Sequence, residues 1–299
     1  MNAIFQWGLD FIIMIQQIDT PLLDSFFRAI TSLGEELFYL LLFSFLIWCI
    51  DFYLGIRIGI LFLLSAYVNS GVKEIFQQPR PFDILPEIQK AYAYGYGFPS
   101  GHAQSSLVVW GSIAYWKKQA WIRILSVLLI LLIGFSRIYL GVHFPTDVLG
   151  GWLFGGLILG LSYFIFSNIK LDFIQKNTIF KIIGITLFPI IFLKIQSSSD
   201  IISGVAALTG VGYGLILFSS SIEGIRPGSW LQRLYSFLLG LFGIVILYLG
   251  LKLILPSEGQ AFNQLCRFFR YLLLGIWISF EAPWLFIRLG LADQMKKKL

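Results

Sequence analysis

Apolar residues run along this chain in windows of about 20, broken by short polar connections, over almost its whole length. That pattern predicts an all-α fold, a polytopic transmembrane helical bundle. Nine spanning segments can be drawn, at residues 36–53, 56–76, 101–116, 120–138, 146–167, 180–195, 201–219, 233–254 and 268–288. The sixth is short and carries Pro189, which makes it the weakest of the nine. The longest polar connection among the first five segments is 77–99, rich in Pro, Tyr and Gly.

The N-terminal stretch behaves differently. Phe5, Trp7, Leu9, Phe11 and Ile12 are interleaved with Gln6, Asp10, Gln16 and Gln17. This mixture predicts an interfacial or re-entrant helix, with a tenth span as the alternative. The chain thus divides into an N-terminal segment at 1–35, a core at 36–167, and a four-span extension at 168–299. Small residues four apart (Gly151 and Gly155, Gly156 and Gly160, Gly210 and Gly214) predict close helix packing.

Composition strengthens the membrane reading. The chain is 57% hydrophobic and 13% charged, more apolar than a soluble core requires. An aromatic content of 17% fits Trp and Tyr gathered at membrane interfaces. The net charge of +6 therefore reads as cytoplasmic loop lysines and not as a nucleic-acid patch. Thirteen of the 22 basic residues fall on one face: Arg57, Lys117, Lys118, Arg123, Lys170, Lys176, Lys181, Arg226, Arg233, Arg288, Lys296, Lys297 and Lys298. Positive-inside bias makes that face cytoplasmic. The first basic residue is Arg28, so the basic n-region of a signal peptide is missing and none is expected. Cys49 and Cys266 form no metal or redox motif, and the topology puts them near opposite membrane faces, so no disulfide is expected.

Three polar clusters interrupt the apolar background, all on the outward face. They are KEIFQQPRP with Lys73 and Arg80, PSGH at Pro99 to His102, and SRIYLGVHFPTD with Arg137, His143 and Asp147. Lys73, Arg80 and Arg137 bring three cations to the membrane boundary, where charge is costly unless paired or used. A multiply charged oxyanion would satisfy all three, Arg as a fork and Lys as a point charge. Ser100 is a plausible N-cap, and the free N–H groups at that helix start would point at an anion. Gly101 allows close backbone approach. If Pro145 starts the fifth helix, Asp147 can reach back to His143 and fix its tautomer, leaving the other ring nitrogen nucleophilic. His102 could serve as general acid. Ser136 reads as a residue that positions Arg137.

These residues resemble the type 2 phosphatidic acid phosphatase superfamily, which shares its phosphate site with vanadium haloperoxidases. Its pattern is Lys, six residues, Arg-Pro; then Pro-Ser-Gly-His; then Ser-Arg, five residues, His, three residues, Asp. Lys73 with Arg80-Pro81, Pro99 to His102, and Ser136-Arg137 with His143 and Asp147 fill every position. The resemblance covers about residues 36–167. It implies that His143 is the nucleophile of a phosphohistidine intermediate, that Asp147 orients it, and that His102 protonates the leaving oxygen. It further implies that Lys73, Arg80, Ser100, Gly101 and Arg137 bind the phosphoryl group, with no metal and no cofactor.

The expected function is that of a membrane phosphatase acting on a lipid phosphate or polyprenyl pyrophosphate, with the bilayer as partner and no nucleic acid. A soluble sugar phosphate is the alternative substrate. A carrier of phosphorylated solutes, using the cations without chemistry, is the alternative of another class; binding alone needs no nucleophile. The expected location is a bacterial inner membrane with an outward-facing site, favoured by the lack of any Asn-x-Ser/Thr sequon. The alternative is the endoplasmic reticulum with a lumenal site, which the terminal KKKL would fit as a retrieval signal.

Overall fold

The computed structural model describes residues 3–168, 177–219, 224–254 and 262–295. Lys170, Lys176 and Lys296 to Lys298, counted above as cytoplasmic, lie outside the described residues. The chain gathers into two compact units, residues 1–40 with 64–169 and residues 41–63 with 170–299.

The first unit opens with α1 (Ala3–Gln16) and α2 (Pro21–Ser32). Thr20 caps α2 by accepting from the Leu23 amide at 3.2 Å, and Pro21 takes the first helical position, where no N–H is needed. At 14 residues α1 is about 21 Å long, short of the ~30 Å hydrocarbon core. It buries Gly8, Leu9 and Ile12 and leaves Trp7, Ile13 and Met14 exposed. A core of Leu9, Ile12, Ile88, Ala103, Ile138, Phe144 and Val148 joins it to the later helices of this unit. Four more helices follow: α3 (Glu36–Phe45), α4 (Phe52–Phe76), the single turn α5 (Pro81–Ile84) and α6 (Gly101–Trp116). Then come α7 (Ala120–Tyr139) and α8 (Pro145–Asn168). The division between the units falls within α3 and within α4.

The second unit holds the start of α4, then α9 (Thr178–Ile195), α10 (Ser199–Ser219), α11 (Trp230–Ile254), α12 (Asn263–Ile276) and α13 (Ala282–Arg288). Pro189 sits inside α9, yet the helix runs through it. Here α10 and α12 meet at backbone distance: a Cβ at Gly210 would lie 2.1 Å from the Leu272 carbonyl oxygen. A Cβ at Gly214 would lie 2.0 Å from Ser279 Oγ. Both cysteines are free thiols, and Cys49 is buried. Two three-residue strands, β1 (Ile225–Pro227) and β2 (Ala292–Gln294), pair antiparallel, with Arg226 opposite Asp293.

Among the described residues, seven helices are long and apolar enough to cross a membrane, and eight if a bent pair counts as one span. The nine expected spans differ at two places. The stretch expected at 36–53 is α3 plus a π-helical turn, Leu46–Ile50, and α2 and α3 form a pair bent by 53°. The stretch expected at 101–116 is α6, only 16 residues or about 24 Å long. One glycine pair also departs from expectation. Cβ atoms at Gly151 and Gly155 would meet Ser100 O at 2.5 Å and Gln104 O at 2.9 Å, so this face packs on α6. Gly156 and Gly160 lie about 100° further round α8; among the described residues nothing lies within 4 Å of a Cβ at Gly160.

Candidate active site

All eight residues singled out by the motifs lie in the first unit. The third cluster is built by the start of α8. Pro145 opens the helix and Asp147 stands at its third position. Asp147 Oδ2 accepts from the Phe144 amide at 2.9 Å, as the acidic partner of a capping box does. The same oxygen accepts from His143 Nδ1 at 3.2 Å. A helix cap therefore also orients the imidazole.

The tautomer of His143 follows from its neighbours. A carboxylate can only accept, so Nδ1 carries the proton. On the other side Arg80 Nη1 donates to His143 Nε2 at 3.1 Å, and a guanidinium can only donate. Nε2 thus presents its lone pair. Burial, followed by the charges of Arg80, Lys73 and Arg137, holds His143 well below the ordinary imidazole range. The ring is a neutral base with its nucleophilic nitrogen in the cluster of cations.

Arg80 also organises the 77–99 connection. Its Nε donates to Gly95 O at 2.8 Å, Nη2 to Tyr94 O at 2.7 Å and Nη1 to Val142 O at 2.8 Å. Lys73, in the last turn of α4, donates to the carbonyls of Tyr96 and Gly97. Ser100 caps α6, accepting from Ala103 N at 3.5 Å, and its own amide donates to Asp147 O at 2.9 Å. That bond ties the PSGH turn, and with it the start of α6, to the start of α8. His102 is different from His143: its Nε2 is buried and unpartnered among the described residues. Asp147 Oδ1 and Arg137 Nε share that state. Unpartnered buried polar atoms of this kind cost roughly 1–3 kcal/mol each, and these three belong to residues of the second and third motifs.

Several contributors were not visible as motifs. Thr31 of α2 accepts from Arg137 Nη1 at 2.6 Å. Gln16 of α1 donates to Ile88 O at 2.9 Å and Tyr139 O at 2.8 Å. Under the PSGH turn, Asn69 donates to Gln104 Oε1 at 2.8 Å, and Gln104 donates to Ser65 O at 2.8 Å. Amides buried in apolar helices were the signal for this last network. Gly141 turns the chain between α7 and His143 at φ +68°, and a Cβ there would lie 2.0 Å from Ile88 O. The Ser136 hydroxyl donates back to Ile133 O at 2.7 Å within α7. Among the described residues, no group of three or more His, Cys, Asp or Glu could hold a metal ion.

Comparison with known proteins fits this geometry. Residues 54–170, which hold every motif, match the model of the PAP2 superfamily, and residues 202–294 match the PAP2 superfamily phosphatase transmembrane extension. Phosphatidylglycerophosphatase B of Bacillus subtilis is 34% identical over 157 residues, 48% of this chain and 75% of that protein. This chain belongs to the PAP2 superfamily. Sphingosine-1-phosphate phosphatase 1 of mouse is 36% identical over 140 residues, 44% of this chain and 33% of that one. An undecaprenyl-diphosphatase of Sulfolobus acidocaldarius is 33% identical over 112 residues, 36% of this chain and 53% of that one. The chain spans only 33% to 41% of the length of the mouse, rat and human sphingosine-1-phosphate phosphatases it matches. The crystal structure of a Bacillus subtilis transmembrane PAP2-type phosphatidylglycerolphosphate phosphatase superposes with a TM-score of 0.50 at 28% identity. That superposition covers 57% of this chain and 90% of the other.

Proposed function

We propose that this PAP2 protein is an integral-membrane phosphatase that hydrolyses a lipid phosphate or polyprenyl pyrophosphate through a phosphohistidine on His143. The observation that carries the reading is the held tautomer of His143: Nδ1–H on Asp147, lone pair at Nε2, beside three cations. In the first step Nε2 attacks phosphorus and the bond from phosphorus to the lipid oxygen breaks. His102 gives that oxygen its proton. In the second step water attacks the phosphohistidine, His102 takes the proton, phosphate leaves and Nε2 is regenerated. Lys73, Arg80, Arg137, the Ser100 hydroxyl and the amide at Gly101 stabilise the charge on the equatorial oxygens. No metal enters these steps.

The lipid class is supported by the relatives, whose names include phosphatases of sphingosine-1-phosphate, phosphatidylglycerophosphate and undecaprenyl diphosphate. The sugar-phosphate and carrier readings have no such support. The site is proposed to face outward from a bacterial inner membrane, a reading supported by the basic residues gathered on the opposite face.

Phosphate release by the purified full chain tests the reading, using phosphatidic acid, phosphatidylglycerol phosphate, sphingosine 1-phosphate, a polyprenyl pyrophosphate and glucose 6-phosphate. Turnover of a lipid, blocked by vanadate and indifferent to EDTA, is expected. Turnover of the sugar phosphate alone, or loss in EDTA restored by a divalent ion, would overturn it. Orientation is tested by labelling intact cells with an impermeant maleimide. Lys90 is a poor cysteine site because it is ion-paired with Asp19 and Asp24, whereas Tyr92 is 85% exposed. Tyr92→Cys should label and Lys118→Cys should not; the reverse puts the site on the cytoplasmic side.

A further inference from the structure

We infer that Thr31 is a positioning residue for Arg137, and that the elbow between α2 and α3 forms a wall of the catalytic centre. The inference rests on the phosphatase reading above. Thr31 and Arg137 are each 5% exposed, on α2 and on the last turn of α7. Their bond, Arg137 Nη1 to Thr31 Oγ1 at 2.6 Å, crosses 106 residues of sequence.

The chemistry of that bond is selective. A guanidinium has five N–H groups in a rigid plane. Fixing Nη1 fixes the rotation of the plane without engaging the side-on edge made by Nε and Nη2. That edge is the one that grips two oxygens of one phosphoryl group. Nε is buried and unpartnered among the described residues, as such an edge must be if it is held for an anion. The acceptor is a neutral hydroxyl. A carboxylate in its place would take the fork for itself and neutralise the charge the phosphoryl group needs.

The elbow touches the other side of the centre too. Gly34 lies where α2 and α3 bend by 53°. A Cβ there would sit 2.5 Å from His102 Cδ2 and 3.1 Å from its Cγ, so the chain packs flat against the ring of His102. Residues 31–34 thereby contact both Arg137 and His102, although they precede both stretches matched by the family models.

The test compares the full chain in detergent as wild type, Thr31→Val and Thr31→Ser. Valine keeps the shape and removes the acceptor; serine keeps the acceptor. Turnover and KM are measured with a short-chain lipid phosphate, alongside inhibition by vanadate and the melting temperature with and without vanadate. Thr31→Val should lower kcat about ten- to a hundredfold, and weaken vanadate inhibition by a similar factor, with KM within about threefold. Thr31→Ser should stay within about threefold of wild type throughout. If Thr31→Val does not fold, Thr31→Ala removes the same hydroxyl and is read against serine in the same way. Wild-type kcat and vanadate affinity in the hydroxyl-free variant, or a serine variant as impaired as valine, would overturn the inference and leave the phosphatase reading standing. A wild-type protein that neither hydrolyses the lipid nor responds to vanadate would overturn both.

Discussion

The two units bury polar groups in opposite ways. In the first, the buried set includes Asn69, Arg80, Gln104, Arg137, His143 and Asp147. In the second, the buried polar side chains among the described residues are the hydroxyls of Ser44, Thr209, Ser236 and Ser279. Two of these bond back to their own helices, Thr209 to Val205 O and Ser279 to Gly275 O. Such hydroxyls let helices approach closely and cost little. Buried ions are another matter: they persist in an apolar chain only where geometry or function requires them. The contrast supports the proposed placement of chemistry in the first unit, with packing in the second.

The sharpest way to break that contrast is at His143. His143→Ala should abolish turnover of every substrate, a loss of about 10⁴-fold or more, because on the proposed mechanism the imidazole oriented by Asp147 is the group that attacks phosphorus. His102→Ala should be as damaging for alkyl phosphates but should keep a measurable burst of nitrophenol from an aryl phosphate, whose leaving group needs no proton. A burst from His143→Ala but not from His102→Ala would show the two roles reversed.

Arg137→Lys comes next. It keeps the charge and loses the fork, and kcat should fall about a hundredfold. A change of only a few-fold would mean that charge alone is used. In the second unit the same logic predicts a different kind of damage. Gly210→Leu must push apart α10 and α12, so the melting temperature should fall, by an amount equivalent to about 1–3 kcal/mol. Activity per folded molecule should hardly change; a loss rivalling that of Arg137→Lys would give the second unit a part in the chemistry.

Smaller effects sharpen the picture. An attacking imidazole must be neutral, and His143 is held well below its ordinary value of 6.5. As pH falls through 6.5 the nucleophile therefore stays in its active form. The rate of phosphoenzyme formation from an aryl phosphate, whose leaving group needs no proton from His102, should be flat there once corrected for substrate ionisation, and decline only at lower pH. A midpoint near 6.5 would show that burial and the three cations do not act on His143 as the geometry implies. Least of all, Lys90→Met removes the ion pairs to Asp19 and Asp24 outside the centre. Partly exposed pairs of this kind contribute about 1 kcal/mol or less, so only a small drop in melting temperature is expected.

The centre was legible in the sequence because the background is so apolar. Lys73, Arg80, Arg137, His143 and Asp147 stand out when polar residues are rare, and their spacing does the rest. The helices were legible for the same reason; Pro145, for example, marks the start of α8. Three things were hidden. Thr31 sits in a mixed amphipathic stretch where one hydroxyl resembles any other, and its partner lies 106 residues away. The bend near Gly34 packs on His102, a tertiary contact with no local pattern. The β1–β2 ribbon is three residues per strand, too short for alternation to register.

The 3.1 Å bond between Arg80 and His143 has a kinetic meaning. On the proposed mechanism, the electron pair that attacks phosphorus is the one that Arg80 Nη1 already occupies. An arriving phosphoryl oxygen is a stronger acceptor for that N–H than an imidazole nitrogen, so the guanidinium changes partner as the ester docks. The nucleophile is unmasked by the same event that delivers its target. On that reading the nitrogen stays sheathed between turnovers, and readiness depends on recognition.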